Sequence, residues 1–280
     1  MSESIPKGAF LSECPSRGLA HWLYSKADDL GMSTAPNGAV DVANTLSNLR
    51  DTEALKRAAA LAAVTEAEDG MLVGLGTGTT ASAVITALGE RVADGLRIEV
   101  VATSLASARE AAAAGLAVRP FDALSSVDLA IDGADEVDPH LRAIKGNGGA
   151  MLREKIVAAA AAHMIVIVDA GKEVATLGRG ALPVETLPFA ACFVSRRVEQ
   201  LGAAVSLRMA GDVHYLTDQR NFVLDCRFGP IHDPEGLARA LSAIPGMLGH
   251  GLFLDEIDAA YVGRSDGVTH LTRPVSGVVS

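Results

Sequence analysis

The sequence predicts an α/β fold, a doubly wound, mainly parallel, Rossmann-like sheet with a smaller α+β inserted domain. Apolar residues make up 49% of the 280 and aromatic ones only 4%, so the hydrophobic content is mainly Ala, Val, Leu and Ile, and 28 glycines are available for tight turns. Short apolar runs alternate with helical patterns between residues 71 and 168, the order that strands and crossover helices of a parallel sheet produce. After about Arg179 the texture changes to short strands with two helical stretches. A chain of this length buries a large core and accommodates one domain with an insertion or two modest domains.

Residues 1–48 show no sustained period, and Ser33 to Val40 reads as loop, so this segment is set apart as an N-terminal extension of unassigned role. A helical pattern opens at Asp51 with an acidic first turn and runs to about Glu68, where Gly70 ends it. A strand (Met71 to Leu75), a Gly/Thr loop, a helix (Thr80 to Ala93) and a strand (Arg97 to Ala102) make one βαβ unit. It is followed by a helix (Leu105 to Ala114), a strand (Val127 to Ile131), a Gly-rich loop, a helix (Met151 to Ala161) and a strand (Met164 to Val168). These elements form a catalytic domain over 49–178. The small α+β domain, 179–247, holds a strand (Leu182 to Glu185), a helix (Cys192 to Leu201), short strands around Val205, Tyr215 and Val223, and a helix (Pro234 to Ile244). Strands near Leu252, Tyr261 and Val268, in 248–280, are expected to return to the first sheet.

The net charge of −10 and pI near 5.2 disfavour a general affinity for nucleic acid, which normally shows as a basic face. No stretch approaches the ~20 apolar residues of a membrane span, and the first fifty residues lack the apolar core of a secretory signal, so a cytoplasmic protein with no membrane partner is expected. Cys14, Cys192 and Cys226 are widely separated and lack CxxC spacing, which supports neither a disulfide framework nor a zinc site; buried or inert thiols are expected.

Three loops concentrate the chemistry. Gly74-Leu75-Gly76-Thr77-Gly78-Thr79-Thr80 joins a strand to a helix start, where close backbone approach, free N–H groups and threonine hydroxyls suit an anion. The same residues satisfy a loose GxGxxA dinucleotide pattern through Gly76, Gly78 and Ala81, but the second strand ends in Thr103-Ser104 rather than the acid that holds a ribose hydroxyl, with Glu99 inside the strand. A purely structural turn is the bland alternative. Asp132-Gly133-Ala134-Asp135-Glu136 follows an apolar strand, and carboxylates crowded there suit sugar hydroxyls or acid/base work, with a divalent metal or capping roles as alternatives. The scattered histidines form no metal constellation beside them. Lys145-Gly146-Asn147-Gly148-Gly149-Ala150 places a lysine and a run of amides, suited to an oxygen anion, before a helix carrying Arg153-Glu154-Lys155. Taken singly, Glu154 reads as a helix-surface residue making local ion pairs.

As a set these stretches resemble the A-type ribose-5-phosphate isomerases, together with Asp169-Ala170-Gly171-Lys172, Leu182-Pro183-Val184-Glu185 and Gly251-Leu252-Phe253. The resemblance runs from about Asp51 to Leu271. It implies reversible isomerisation of D-ribose 5-phosphate and D-ribulose 5-phosphate through an enediolate, in the non-oxidative pentose phosphate pathway, with no cofactor and no metal. It implies Glu154 as the catalytic base, with Asp132 and Lys145 as further catalytic residues. Substrate contacts are implied for Thr77, Gly78, Thr79 and Thr80, for Asp132, Gly133, Ala134 and Asp135, for Lys145, Gly146, Asn147 and Gly148, and for Lys172. Lys56 is implied near the phosphate. The implied partner is a small sugar phosphate, and the implied assembly a homodimer or homotetramer.

Two departures from the family pattern stand out. Asn147 replaces a glycine of the lysine loop, where asparagine tolerates positive φ better than most residues, and Gly171 replaces a serine, removing a hydroxyl. Related folds also serve CoA transferases, in which Glu154 would form a thioester, sugar-phosphate-sensing domains of transcription regulators, and an aminosugar phosphate deaminase. A sensor requires a DNA-binding module, and the first fifty residues offer no convincing helix-turn-helix.

Overall fold

Among the described residues seven strands form a central sheet, which runs in the order 267–272, 259–264, 161–169, 127–133, 72–75, 99–102 and 117–118. The computed structural model describes the backbone of residues 42–273 and the side chains of residues 52–273. Most of the N-terminal extension, Cys14 and residues 274–280 lie outside the described residues.

Helix α1 (Val42–Ala63) runs on through a single 3-10 turn, so the helix starts nine residues before the acidic turn that marks its expected start and stops earlier than Glu68. Strand β1 (Leu72–Leu75), helix α2 (Thr79–Ala93), β2 (Glu99–Ala102), helix α3 (Leu105–Ala113) and β3 (Ala117–Val118) complete one half of the sheet. β4 (Val127–Gly133) continues two residues beyond its expected end, so Asp132 and Gly133 belong to the strand and not to a loop. β5 (Glu136–Val137) and β6 (Ala143–Ile144) form a small ladder before helix α4 (Met151–Ala160) and β7 (Ala161–Asp169). β4 and β7 lie inside the sheet, paired in parallel at Ile131 and Ile165, and residues 164–169 are buried without a break, as expected for a strand covered on both faces.

The inserted region holds β8 (Leu182–Thr186), helix α5 (Ala191–Gln200), β9 (Ala204–Leu207), the short pair β10 (Met209–Ala210) and β11 (Val213–His214), β12 (Phe222–Arg227), helix α6 (Pro234–Ser242) and β13 (Met247–His250). Its four-stranded antiparallel sheet, β13-β8-β12-β9, has its own hydrophobic cluster centred on Val184, Val194, Val198, Leu224 and Leu241. β14 (Leu252–Phe253) does not return to the first sheet; it pairs with β6, Leu252 opposite Ile144. β15 (Ala259–Arg264) and β16 (Gly267–Thr272) do return, β15 parallel to β7 and β16 antiparallel to β15. Cys226 is buried, whereas Cys192 is exposed on α5, and both thiols are free. No helix among the described residues is long and apolar enough to cross a membrane.

Candidate active site

The carboxyl ends of β1, β4 and β7 lie side by side; the Gly/Thr loop leaves the sheet after β1 and residues 134–135 after β4, while the lysine loop follows β6 and meets them through the Asn147 N–H on Asp135. Gly76 directly follows β1 with its N–H on the Ile131 carbonyl at 3.0 Å, and a Cβ at this position would stand 1.7 Å from Asp132 Oδ1. Only glycine lets the first loop close against that carboxylate. Asp132 Oδ1 accepts hydrogen bonds from the N–H groups of Thr77 at 3.2 Å and Gly133 at 2.7 Å. The Thr77 and Thr103 hydroxyls meet at 2.9 Å, and Ser107 donates to the Gly76 carbonyl at 2.7 Å. Gly78, at φ 91°, precedes α2 and offers no side-chain cap, so the helix start is left for another acceptor.

The centre of the site is buried. Lys145 Nζ lies 2.8 Å from Asp132 Oδ2 and 3.2 Å from Glu154 Oε2, and it donates to the Gly133 carbonyl. Asp132, Lys145 and Glu154 are 4%, 2% and 4% exposed, so the reading of Glu154 taken singly, as a helix-surface residue, does not hold. Burial opposes the lysine charge, but the carboxylates of Asp132 and Glu154, with Asp135 beyond, outweigh it and hold the Lys145 ammonium above its ordinary range. Burial and the negative charge of Asp132 push the Glu154 carboxyl up, against the pull of Lys145. Apart from the Lys145 ammonium, Glu154 Oε2 has no polar partner among the described residues. Its placement follows from α4: the helix starts at Met151, directly after the lysine loop, and puts Glu154 in its first turn with its N–H on Ala150.

Asp135 is reached from three sides. Its Oδ2 accepts the Asn147 N–H at 3.0 Å, and its carboxyl is pushed up by burial against that bond and the nearby ammonium groups of Lys145 and Lys172. Lys172 stands in the 3-10 turn after β7, where Asp169 Oδ1 accepts the Gly171 N–H at 3.0 Å. Lys56 Nζ lies 3.9 Å from Asp169 Oδ2 and lines, with Thr79, a groove of about 390 Å³ between α1 and α2. The structure thus gathers Thr77, Asp132, Asp135, Lys145, Glu154 and Lys172 at one sheet edge, with Lys56 and Thr79 beside them.

Several expectations change. Glu136 is not a ligand-facing acid: its buried carboxylate accepts the N–H groups of Gly178, Arg179 and Gly180. In the lysine loop the Asn147 and Gly149 amides are already engaged, with Asp135 and the Gly146 carbonyl, which leaves those of Gly146 and Gly148 without an acceptor among the described residues. The positive φ angles of this loop fall at Gly146 and Gly149, so Asn147 does not need the tolerance that its side chain offers. Glu99 is paired with Arg119 at 2.8 Å and is not poised for a ribose hydroxyl. No group of three or more His, Cys, Asp or Glu side chains is placed to hold a metal among the described residues. Thr103, Arg208 and Tyr215, given no role at the site from the sequence, adjoin the loops; the last two come from the inserted region, 60 or more residues away, with no local signal.

Residues 99–267 match the family described as ribose 5-phosphate isomerase A (phosphoriboisomerase A). The chain is 54% identical over 215 residues to ribose-5-phosphate isomerase A of Sphingopyxis alaskensis, covering 76% of this chain and 93% of the relative. The chain belongs to the ribose 5-phosphate isomerase A family. The enzyme of that name from Gloeobacter violaceus is 49% identical, covering 79% of this chain and 97% of the relative. Among solved structures, ribose 5-phosphate isomerase A from Methanocaldococcus jannaschii superposes with a TM-score of 0.75 at 35% identity, over 79% of this chain and 99% of that one. A D-ribose-5-phosphate isomerase in complex with phospho-erythronic acid gives a TM-score of 0.77 at 36% identity, over 79% and 99%. Membership in the ribose 5-phosphate isomerase A family agrees with the parallel sheet and its inserted α+β region.

Proposed function

We propose that this chain interconverts D-ribose 5-phosphate and D-ribulose 5-phosphate in the pentose phosphate pathway, with Glu154 moving the carbon-bound proton. The observation that carries the reading is the buried Asp132–Lys145–Glu154 cluster beside an uncapped helix start. Moving a carbonyl between C1 and C2 requires a proton to leave C2, an enediolate to form, and a proton to return to C1. One carboxylate does both. A glutamate pushed up by burial is a stronger base toward a carbon acid than an exposed one. Lys145 and the Gly148 N–H face the oxygen on which negative charge develops. Asp132 assists ring opening and hydroxyl proton exchange, and Asp135 orients the sugar.

Thr77, Gly78, Thr79 and Thr80, at the start of α2, take the phosphate with Lys56 and Lys172, and Gly133, Ala134, Gly146 and Asn147 line the sugar. The phospho-erythronic acid held by a solved relative combines a phosphate with a carboxylate, the two anionic groups this arrangement suits. We divide the chain into an extension (1–48), a catalytic domain (49–178, completed by 248–280) and a small α+β domain (179–247), working in the cytoplasm as a homodimer or homotetramer. A coupled assay with ribose 5-phosphate in excess EDTA tests the reading, and turnover should persist undiminished. Activity lost in EDTA and restored by Mn²⁺ or Zn²⁺ would refute it.

A further inference from the structure

The lysine loop is gripped from the side opposite Asp135. Arg208 Nη1 donates to the carbonyls of Gly146 at 3.1 Å and Asn147 at 2.9 Å, and the Tyr215 hydroxyl donates to that of Gly148 at 3.2 Å. Arg208 is itself fixed: Nε donates to Asp225 Oδ2 at 3.0 Å and Nη2 donates to Oδ1. Its side chain is 11% exposed. Arg208 directly follows β9, and Asp225 stands in β12 opposite Ser206, so the clamp is built on the sheet of the inserted region.

In a trans peptide the carbonyl and the following N–H point in opposite directions, and the described chain has no cis bond. Holding the Gly146 carbonyl toward Arg208 therefore turns the Asn147 N–H the other way, where it meets Asp135. Holding the Asn147 carbonyl turns the Gly148 N–H in the same sense, and this N–H has no acceptor among the described residues. Gly148 also stands against the phosphate loop, since a Cβ there would lie 3.6 Å from Thr77 Cγ2.

We propose that Arg208 is a positioning residue for the reaction, through which the inserted region aims the free Gly148 N–H at the site. The inference rests on the isomerase reading above. Asp225 occupies two nitrogens of the guanidinium and leaves the third for the loop; an ammonium has no such fork and cannot hold both partners in this geometry.

The test compares Arg208→Ala, Arg208→Lys and Thr217→Val. The last breaks a bond to Glu185 in the same region without touching the loop. One oxyanion donor is worth about 10² to 10³ in rate, so partial misdirection in Arg208→Ala should lower kcat at least tenfold, with KM for ribose 5-phosphate changed less than about threefold. Millimolar guanidinium should restore several-fold of the lost rate to Arg208→Ala. Arg208→Lys should stay slow, and Thr217→Val should keep its kcat even if its Tm falls as far. In amide NMR of Arg208→Ala the changes should centre on residues 146–149. Near-normal kcat in Arg208→Ala, an equal loss in Thr217→Val, or absent guanidinium rescue overturns the proposal. Failure of the isomerase reading is seen separately, as a wild-type protein without turnover, and the Gly148 amide signal then still decides whether Arg208 orients the loop.

Discussion

Glu154 has surroundings that a surface helix residue lacks: a lysine at 3.2 Å, a second carboxylate sharing that lysine, and almost no exposure. Glu154→Gln keeps size and helix position while removing the base. Its kcat should fall by at least about 10², the lower end of what a positioned base provides, while ribose 5-phosphate still binds, and exchange of the substrate C2 proton with D₂O, followed by NMR, should stop. Near-normal exchange in Glu154→Gln but none in Asp132→Asn would move the base to β4. The raised carboxyl has a second consequence. Between the ordinary glutamate range and its raised value the folded protein holds a proton that the unfolded chain has lost, so Glu154 subtracts stability as pH rises through that window. Glu154→Gln lacks this loss, and its Tm relative to wild type should climb from pH 5 to pH 8; a difference flat with pH contradicts the raised carboxyl. The base needs its carboxylate form, so wild-type kcat/KM should fall as pH drops below that raised value. In sequence terms Asp132 and Lys145 were readable because each adjoins an apolar strand or glycine run, whereas Glu154 alone read as surface. Only its place among the other motifs singled it out.

At the scale of elements, the βα loops were legible because strand, glycine run and helix succeed one another in sequence, and the chemistry of each turn is local. The two-residue ladders were not. β14 exists because Leu252 comes opposite Ile144, a pairing between residues so far apart that it leaves no period in either segment, and β5 and β6, paired with each other at Val137 and Ala143, are too short to show one. The extension of β4 through Gly133 was missed because aspartate and glycine read as turn formers, yet Asp132 is held by Thr77, Gly133 and Lys145. Gly76 shows what this closeness demands. Gly76→Ala drives a methyl into Asp132, and since about 1 Å of misplacement can cost ~10² in rate, kcat should fall by about that factor. Gly95→Ala is the control: its φ of 112° makes alanine strained, but nothing lies within 4 Å of the added Cβ. It should lose about 1 to 2 kcal/mol of stability in a urea titration with kcat intact. Equal kcat in the two variants would mean that the contact between loop and carboxylate is unimportant.

At the scale of the whole molecule, the site draws on both sheets, since the carbonyls of the lysine loop are held by Arg208 and Tyr215 of the inserted region while its lysine serves the parallel sheet. The sequence announced the inserted region by its change of texture but not this contact, which depends on tertiary placement alone. The hydrophobic clusters start at Ala59, and every proposed site residue from Lys56 onward lies in the compact unit Thr52–Ser280. Relatives are matched over 93% and 97% of their own length by 76% and 79% of this chain, so the conserved reaction is carried by a shorter polypeptide. Cutting at the expected boundary, residue 48, would remove the start of α1, whereas cutting before Val42 leaves the helix whole. A chain beginning at Val42 should therefore fold with a Tm close to that of the full chain and retain kcat within about twofold, since the hydrophobic clusters and the proposed site residues all lie beyond the cut. Sedimentation should report the same oligomer for both. A truncated protein that is soluble, folded by circular dichroism and yet inactive would place part of the site, or of the assembly it depends on, in the first 41 residues.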